Sequence, residues 1–398
     1  MTEIPVQSWG LFAREGQQAP PPAPEADETW ALPGGTARVY YGDQNRALVR
    51  PVILSDGFNS GPTDFDAFWH GLENGQLPFV SRLRERGHDL VLLGYDERSA
   101  SLLANAQTAI ACILRTVAER LGDTRLTVGG FSMGGLITRY ALAKLETQRM
   151  DHQTAAYFSF DSPHRGASIP ISLQALAHFL KPVAPALSKQ INSPAARQLL
   201  WRHIETVHGS PAEDPLRGEF LDELKRVGGW PRIPRLLALA NGRLDGVGNG
   251  VPAGEPALEV TKGGLKPTTL LTQTPDGKAV LAHLKDLLRE EHVRHRGLPE
   301  LDGAPGGTLD SFGIAADNLT KPLLGMAAVA HHPEICFVPT GSALSVRDIS
   351  QDSLYEDLSG LDPDAFDVDD YIASSETNTR HSALTPELGE WLLDRLPN

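Results

Sequence analysis

The chain has 398 residues, 41% hydrophobic and 22% charged, the balance of a globular protein able to bury a sizeable core. Its formal net charge of -14 argues against nucleic acid or an anionic membrane surface as a main partner. No stretch approaches the roughly 18 apolar residues of a membrane span, and residues 1–16 lack a signal-peptide core, so a cytoplasmic protein with no integral membrane association is expected. Two unclustered cysteines, Cys112 and Cys336, suggest buried reduced thiols rather than a disulfide framework or a metal site.

Residues 1–35 read as a flexible proline-rich leader, extended and poorly packed over 17–28. Strands are expected at 38–42 and 51–55, and helices at 65–72 and 78–86. An apolar strand at 89–94 precedes a long amphipathic helix at 102–121. A strand at 125–129 runs into a helix that ends near Arg149, and another strand follows at 155–160. Strands that are apolar on both faces and alternate with helices predict an α/β fold, a mostly parallel central sheet with helices on both faces.

This core spans 36–166 and resumes over 231–398. Between them, 167–230 reads as a helical insertion, with helices at 171–180, 194–208 and 216–227. Its place in the chain suggests a cap or lid over the end of the sheet, and its leucines suggest an apolar binding surface. The sheet resumes at 235–240, β-like alternation marks 256–274, and 278–289 has helical spacing. Residues 297–330 are glycine-rich and weakly patterned. A last apolar strand is expected at 334–339, an acidic loop at 350–370, and a helix at 385–396 with Thr385 as cap and Pro386 at its first position.

The run Leu126-Thr127-Val128-Gly129-Gly130-Phe131-Ser132-Met133-Gly134-Gly135-Leu136 carries the chemistry. A serine on a sharp strand-to-helix turn is lifted out of the sheet, and the flanking glycines permit the tight backbone. Such a serine needs a histidine to take its proton and a carboxylate to hold that histidine's tautomer. His381, in a late polar loop before the last helix, is the expected base. His331 and His332 precede a strand, and His164 precedes the expected acid. His292 and His295 sit in a charged stretch without a third ligand at a usual interval, so no metal is expected there. Asp245, in a glycine-bounded turn after the strand 235–240, is the expected acid, with Glu334 and Asp348, which flank the later strand, as alternatives; Asp161 follows a strand but precedes the helical insertion. An oxyanion hole would use the N–H of Met133, at the start of a helix, and that of Phe58, with Gly57 as the fallback.

Residues 130–142 resemble the nucleophile elbow of lipase-type α/β hydrolases, and Ser162-Pro163-His164-Arg165-Gly166 is similar to the Pro-His-x-Gly turn of the same enzymes. The group includes lecithin–cholesterol acyltransferase-like and inositol-deacylase-like serine esterases. The resemblance covers about 49–166 and implies the α/β-hydrolase fold and Ser-Asp-His ester hydrolysis without a metal or cofactor. Phe131 stands where that family usually has histidine, and Asp56-Gly57 replaces its usual His-Gly. The expected protein is a serine hydrolase cleaving an ester or thioester of a small hydrophobic or lipid-like substrate. Transfer of the acyl group to an alcohol or amine is a second reading, and a non-catalytic binding module on the same fold is a third.

Overall fold

The structure is a computed structural model that describes residues 21–275, 280–320 and 325–397. Residues 1–20, most of the expected leader, lie outside the described residues. The chain begins with a hairpin of β1 (Glu28–Leu32) and β2 (Gly35–Tyr40), followed by β3 (Pro51–Ser55), α1 (Phe65–Glu73), α2 (Phe79–Glu85) and β4 (Asp89–Tyr95). Then come α3 (Leu102–Glu119), β5 (Leu126–Phe131), α4 (Met133–Thr147) and β6 (Thr154–Phe160). Four helices follow: α5 (Ile171–Phe179), α6 (Pro185–Ile191), α7 (Pro194–Leu199) and α8 (Pro215–Arg226). After β7 (Arg235–Ala240) come β8 (Pro256–Lys262), β9 (Thr269–Leu271), β10 (Val280–Lys285) and β11 (Glu290–Arg294). The last third holds β12 (Gly306–Leu309), α9 (Ser311–Leu319), β13 (Ala327–Ala330), β14 (Ile335–Pro339), α10 (Thr340–Ala343), β15 (Asp370–Ala373) and α11 (Pro386–Leu393).

Among the described residues, eight strands form the main sheet in the order β1-β2-β4-β3-β5-β6-β7-β15. β1 and β2 pair antiparallel at one edge, β2 joins β4 antiparallel, and every later pairing is parallel. This is the strand order of the α/β-hydrolase fold. The central strands β3, β4 and β5 are buried throughout, as a sheet covered on both faces requires. Their side chains alternate between two cores. Ile53, Val91 and Val128 enter one core with α3 and α4, while Val52, Leu54, Leu90 and Leu92 enter the other with α1, α2 and α11.

Several expectations change. Residues 21–35 are not a loose leader. Ala23 and Ala26 pack on the second core, the Ala23 N–H donates to Asp66, and Trp30 of β1 is buried. The apolar strand at 334–339 exists as β14, but it pairs with β12 in a separate two-stranded sheet. The last strand of the main sheet is instead β15, at the end of the acidic stretch, where only four residues carry the signal. Within the segment 278–289, the described residues 280–289 are not helical. They form β10 and then a turn leading into β11. Asp286 makes that turn, its carboxylate accepting from the Leu288 and Arg289 N–H groups at 2.8 and 2.7 Å. β10 and β11 belong to a second sheet of five antiparallel strands, β11-β10-β9-β8-β13.

Residues 167–230 are helical, with α7 ending at Leu199 because Leu200 turns extended and bridges to Ala167. Their leucines do not form an exposed binding surface. Leu173, Leu176, Leu187, Leu199 and Leu200 are buried in the core that also contains α3 and α4. No described helix is long and apolar enough to cross a membrane.

Asp302 ties the second sheet to the rest. Its carboxylate accepts from the Gln273 N–H at 2.7 Å, and its carbonyl accepts from Cys336 N–H and the Asn249 amide at 2.9 Å each. Gln273 in turn accepts from Ile171 N–H at the start of α5 at 3.0 Å. The other carboxylate oxygen of Asp302 is buried without a partner among the described residues. Burial pushes this acid up to about 7. A folded-state pKa raised in this way favours the neutral acid, so its contribution to stability is full below the ordinary aspartate range. That contribution is lost as pH rises toward 7. The urea midpoint of the wild-type chain should therefore fall between pH 5 and pH 8, and Asp302→Asn should flatten the decline. An equal slope in the variant would refute the assignment.

Candidate active site

Ser132 lies between β5 and α4 with φ 53 and ψ -123, a left-handed conformation that a serine adopts only under constraint. Its N–H donates to Phe160 O at 2.9 Å. The turn is tight because two glycines allow it. A Cβ on Gly130 would lie 2.5 Å from the Gly134 carbonyl carbon, and one on Gly134 would lie 2.4 Å from Ser55 O. Any side chain at either position would push α4 off the sheet. Met133 opens α4, where the first N–H groups of a helix have no partner within it and point toward the serine end.

His381 meets an acid, but not the expected one. Its Nδ1 lies 2.7 Å from Oδ2 of Asp161. Asp161 follows β6 directly, is fully buried, and also holds a left-handed φ of 49. Its N–H donates to Leu239 O at 2.7 Å, and its other carboxylate oxygen accepts from Asn241 N–H at 3.0 Å. A Cβ on Gly307 would fall 1.9 Å from Asp161 Oδ2, so only glycine lets β12 pass this close. β12 also aligns the base: Thr308 accepts from His381 N–H at 2.7 Å and donates to Thr379 O at 2.9 Å. Phe337 of β14 meets the imidazole edge to face, with centroids 4.8 Å apart.

Asp245 is elsewhere. It forms a two-pronged ion pair with Arg243, is 40% exposed, and is held down to about 2 by that guanidinium. The reason is local: two residues apart in one turn, Arg243 reaches the carboxylate before any histidine can. Glu334 pairs with Arg380, and Asp348 is exposed, so neither carboxylate reaches His381. His164 is buried away from any catalytic position, bonded to Arg139 and Ser159 at 3.2 and 2.9 Å and packed against Trp230 with the rings tilted at 53°. Burial holds its pKa well below the ordinary range, so it stays neutral. Cys112 and Cys336 are both buried, and burial pushes Cys112 up to about 12.

Ser132 and His381 open on one cavity of about 290 Å³. Phe68, Leu72, Phe131, Leu309 and Phe337 supply apolar lining. The loop 56–59 borders it, and a Cβ on Gly57 would sit 3.5 Å from Ser132 Cβ. No residue of 167–230 lines it, so the wall expected from a helical lid comes from α1. A larger apolar cavity of about 630 Å³ lies among Leu180, Leu265, Leu287 and Met326, but its lining includes neither Ser132 nor a histidine.

Asp56 organises the loop beside Ser132. Its carboxylate accepts from its neighbour Gly57 N–H at 2.7 Å and from Thr63 Oγ1 at 2.8 Å, with Arg98 at 3.4 Å. Burial raises its pKa, opposed first by Arg98. The Gly57 N–H is thus engaged by Asp56, which leaves Gly57 a poor second oxyanion donor.

The family model described as "Putative serine esterase (DUF676)" matches residues 102–205, which contain β5, Ser132, α4, β6 and Asp161. With the strand order and the elbow, this match supports a carboxylic ester hydrolase of the serine esterase type on an α/β-hydrolase fold. Similar solved structures include the mature lipase BlEst2 of Bacillus licheniformis, 13% identical over 52% of this chain and 72% of that one, with TM-score 0.34. EstE5 is 13% identical over 56% and 72%, with TM-score 0.35. XC6422 from Xanthomonas campestris, described as a serine hydrolase without a lid, is 18% identical over 36% and 65%, with TM-score 0.25. No curated protein matches the chain.

Removing the carboxylate with Asp56→Ala should free the Gly57 amide. A hydrogen bond to a charged group contributes about 1.5–3 kcal/mol, so exchange of that amide should speed up roughly ten- to a hundredfold. Unchanged exchange across 56–61 would show that Asp56 does not order the loop.

Proposed function

We propose that the protein hydrolyses carboxylic or thio-esters through a Ser132-His381-Asp161 triad and an acyl-enzyme. The observation that carries this reading is the 2.7 Å contact between His381 Nδ1 and the buried Asp161, in a cavity shared with Ser132. Asp161 accepts a hydrogen bond from His381 Nδ1–H, which fixes the tautomer whose Nε2 is unprotonated and able to take the Ser132 hydroxyl proton. Ser132 Oγ then attacks the ester carbonyl. The negative oxygen is met by Met133 N–H and, from the loop, by Phe58 N–H, since Gly57 N–H is engaged by Asp56. His381 passes its proton to the leaving alcohol or thiol, and a water deprotonated by His381 cleaves the acyl-enzyme.

The substrate is apolar near its carbonyl and small. Four phenylalanines and two leucines line the cavity, and about 290 Å³ lies just below the roughly 300–1,000 Å³ common for ligand pockets. Short acyl chains suit that space. Residues 167–230 are read as an accessory layer rather than a lid over Ser132, because their apolar side chains are engaged in packing.

Ser132→Ala should abolish labelling by a fluorophosphonate probe, and persistent labelling would sink the nucleophile assignment. Asp161→Asn should lower kcat about 10⁴-fold by presenting the wrong imidazole tautomer, while Asp245→Asn should stay within a few-fold of wild type. The reverse ranking would restore Asp245 as the acid. Hydrolysis of p-nitrophenyl butyrate should exceed that of the palmitate ester by at least about tenfold in kcat/KM, a difference of about 1.4 kcal/mol at the transition state. Equal rates would exclude the short-chain reading.

A further inference from the structure

The second sheet ends in an edge hairpin whose outer face carries an unusual group. In the β10–β11 register, His283 faces His292 and Lys285 faces Glu290. Side chains alternate along a strand, so these four share one face as a two-by-two patch. The imidazoles of His283 and His292 stack with centroids 4.5 Å apart and planes 4° from parallel. Across the diagonal, His283 Nε2 lies 2.8 Å from one oxygen of Glu290, whose other oxygen is 2.8 Å from Lys285 Nζ. Ligand atoms of His283, Glu290 and His292 all lie within 4.8 Å of one another, the one such three-residue group among the described residues.

We propose that His283, Glu290 and His292 form a zinc site. Two imidazole nitrogens and one carboxylate are a donor set that zinc accepts, with water in the fourth place. Zinc bonds of about 2.0–2.2 Å require the three atoms to draw closer than they now stand, which small side-chain rotations at an exposed face allow. The helical spacing suggested by the sequence offered only His295 as a partner for His292. The hairpin brings His283 instead, from nine positions upstream.

Lys285 is the built-in competitor. It holds Glu290 in the metal-free state and must release it when zinc binds. The consequence would be a clip across an edge hairpin. β11 pairs on one side only, and its last described neighbour is β10. A metal bridging the two strands would oppose fraying at that edge. This inference stands apart from the esterase reading, because none of its residues lines the Ser132 cavity.

The test is zinc binding by the full chain, measured by calorimetry with ZnCl2 and by the shift in melting temperature. The wild type should bind one equivalent that the double variant His283→Ala/His292→Ala loses or binds at least about tenfold more weakly. Lys285→Gln keeps all three ligands and frees Glu290, so it should tighten binding a few-fold, the scale of an exposed ion pair. Esterase activity of that variant without zinc should match wild type. No saturable binding by the wild type, or equal affinity in the double variant, overturns the proposal. Failure of Lys285→Gln to tighten binding removes Glu290 from the site.

Discussion

Everything at the candidate site hangs on the carboxylate of Asp161. One of its oxygens takes the Asn241 amide and the other takes His381, so segments at 161, 241 and 381 meet on a single buried anion. A buried charge is tolerated only when its partners are fixed. The fixing is done by backbone. Asp161 N–H is tied to β7 through Leu239, Asn241 continues from β7, and β12 holds the histidine loop through Thr308. β12 can do this only because Gly307 leaves room against the carboxylate. The left-handed backbone at both Ser132 and Asp161 is the strain this arrangement stores.

Ser132 could be read from sequence because its evidence is local: an apolar strand, two glycines and a helix fall within a dozen residues. His381 could be singled out as a candidate because it stands in a late loop before a capped helix. Its carboxylate partner could not be picked by such signals. Asp161 and Asp245 both follow apolar strands, and both stand between Ser132 and His381 in the chain. Two facts separate them, and neither is visible along the chain beforehand. Arg243 reaches Asp245 within its own turn, and a glycine-rich strand some 150 residues after Asp161 closes over it. The glycines of 297–330, weakly patterned as sequence, are where the discriminating signal lay.

The β10–β11 hairpin shows a second limit. Leu281, Leu284, Leu287 and Leu288 have the spacing of an amphipathic helix, yet Leu287 and Leu288 sit exposed in a turn. The segment is extended because its backbone finds partners in β9 and β11, and because the Asp286 carboxylate stabilises the turn locally. Periodicity alone could not tell these outcomes apart. The strands β3, β4, β5 and β7 were legible because burial on both faces leaves no helical alternative in runs this short.

Access to Ser132 then becomes a question about α1 rather than about the helices after β6. The helices α5–α8 bury their apolar faces in the same core as α3 and α4, so moving them would expose that core. α1 is a nine-residue helix anchored inward mainly by Trp69 and Leu72, capped by Asp64, and it turns Ala67, Phe68 and Gly71 toward the cavity. A Cβ on Gly71 would meet nothing within 4 Å. That open space, beside a phenylalanine only partly buried, is where the wall of the cavity has room to change. A short helix held by two buried side chains can shift at far less cost than a four-helix layer, so α1 is the part of the cavity wall most able to adjust to what enters.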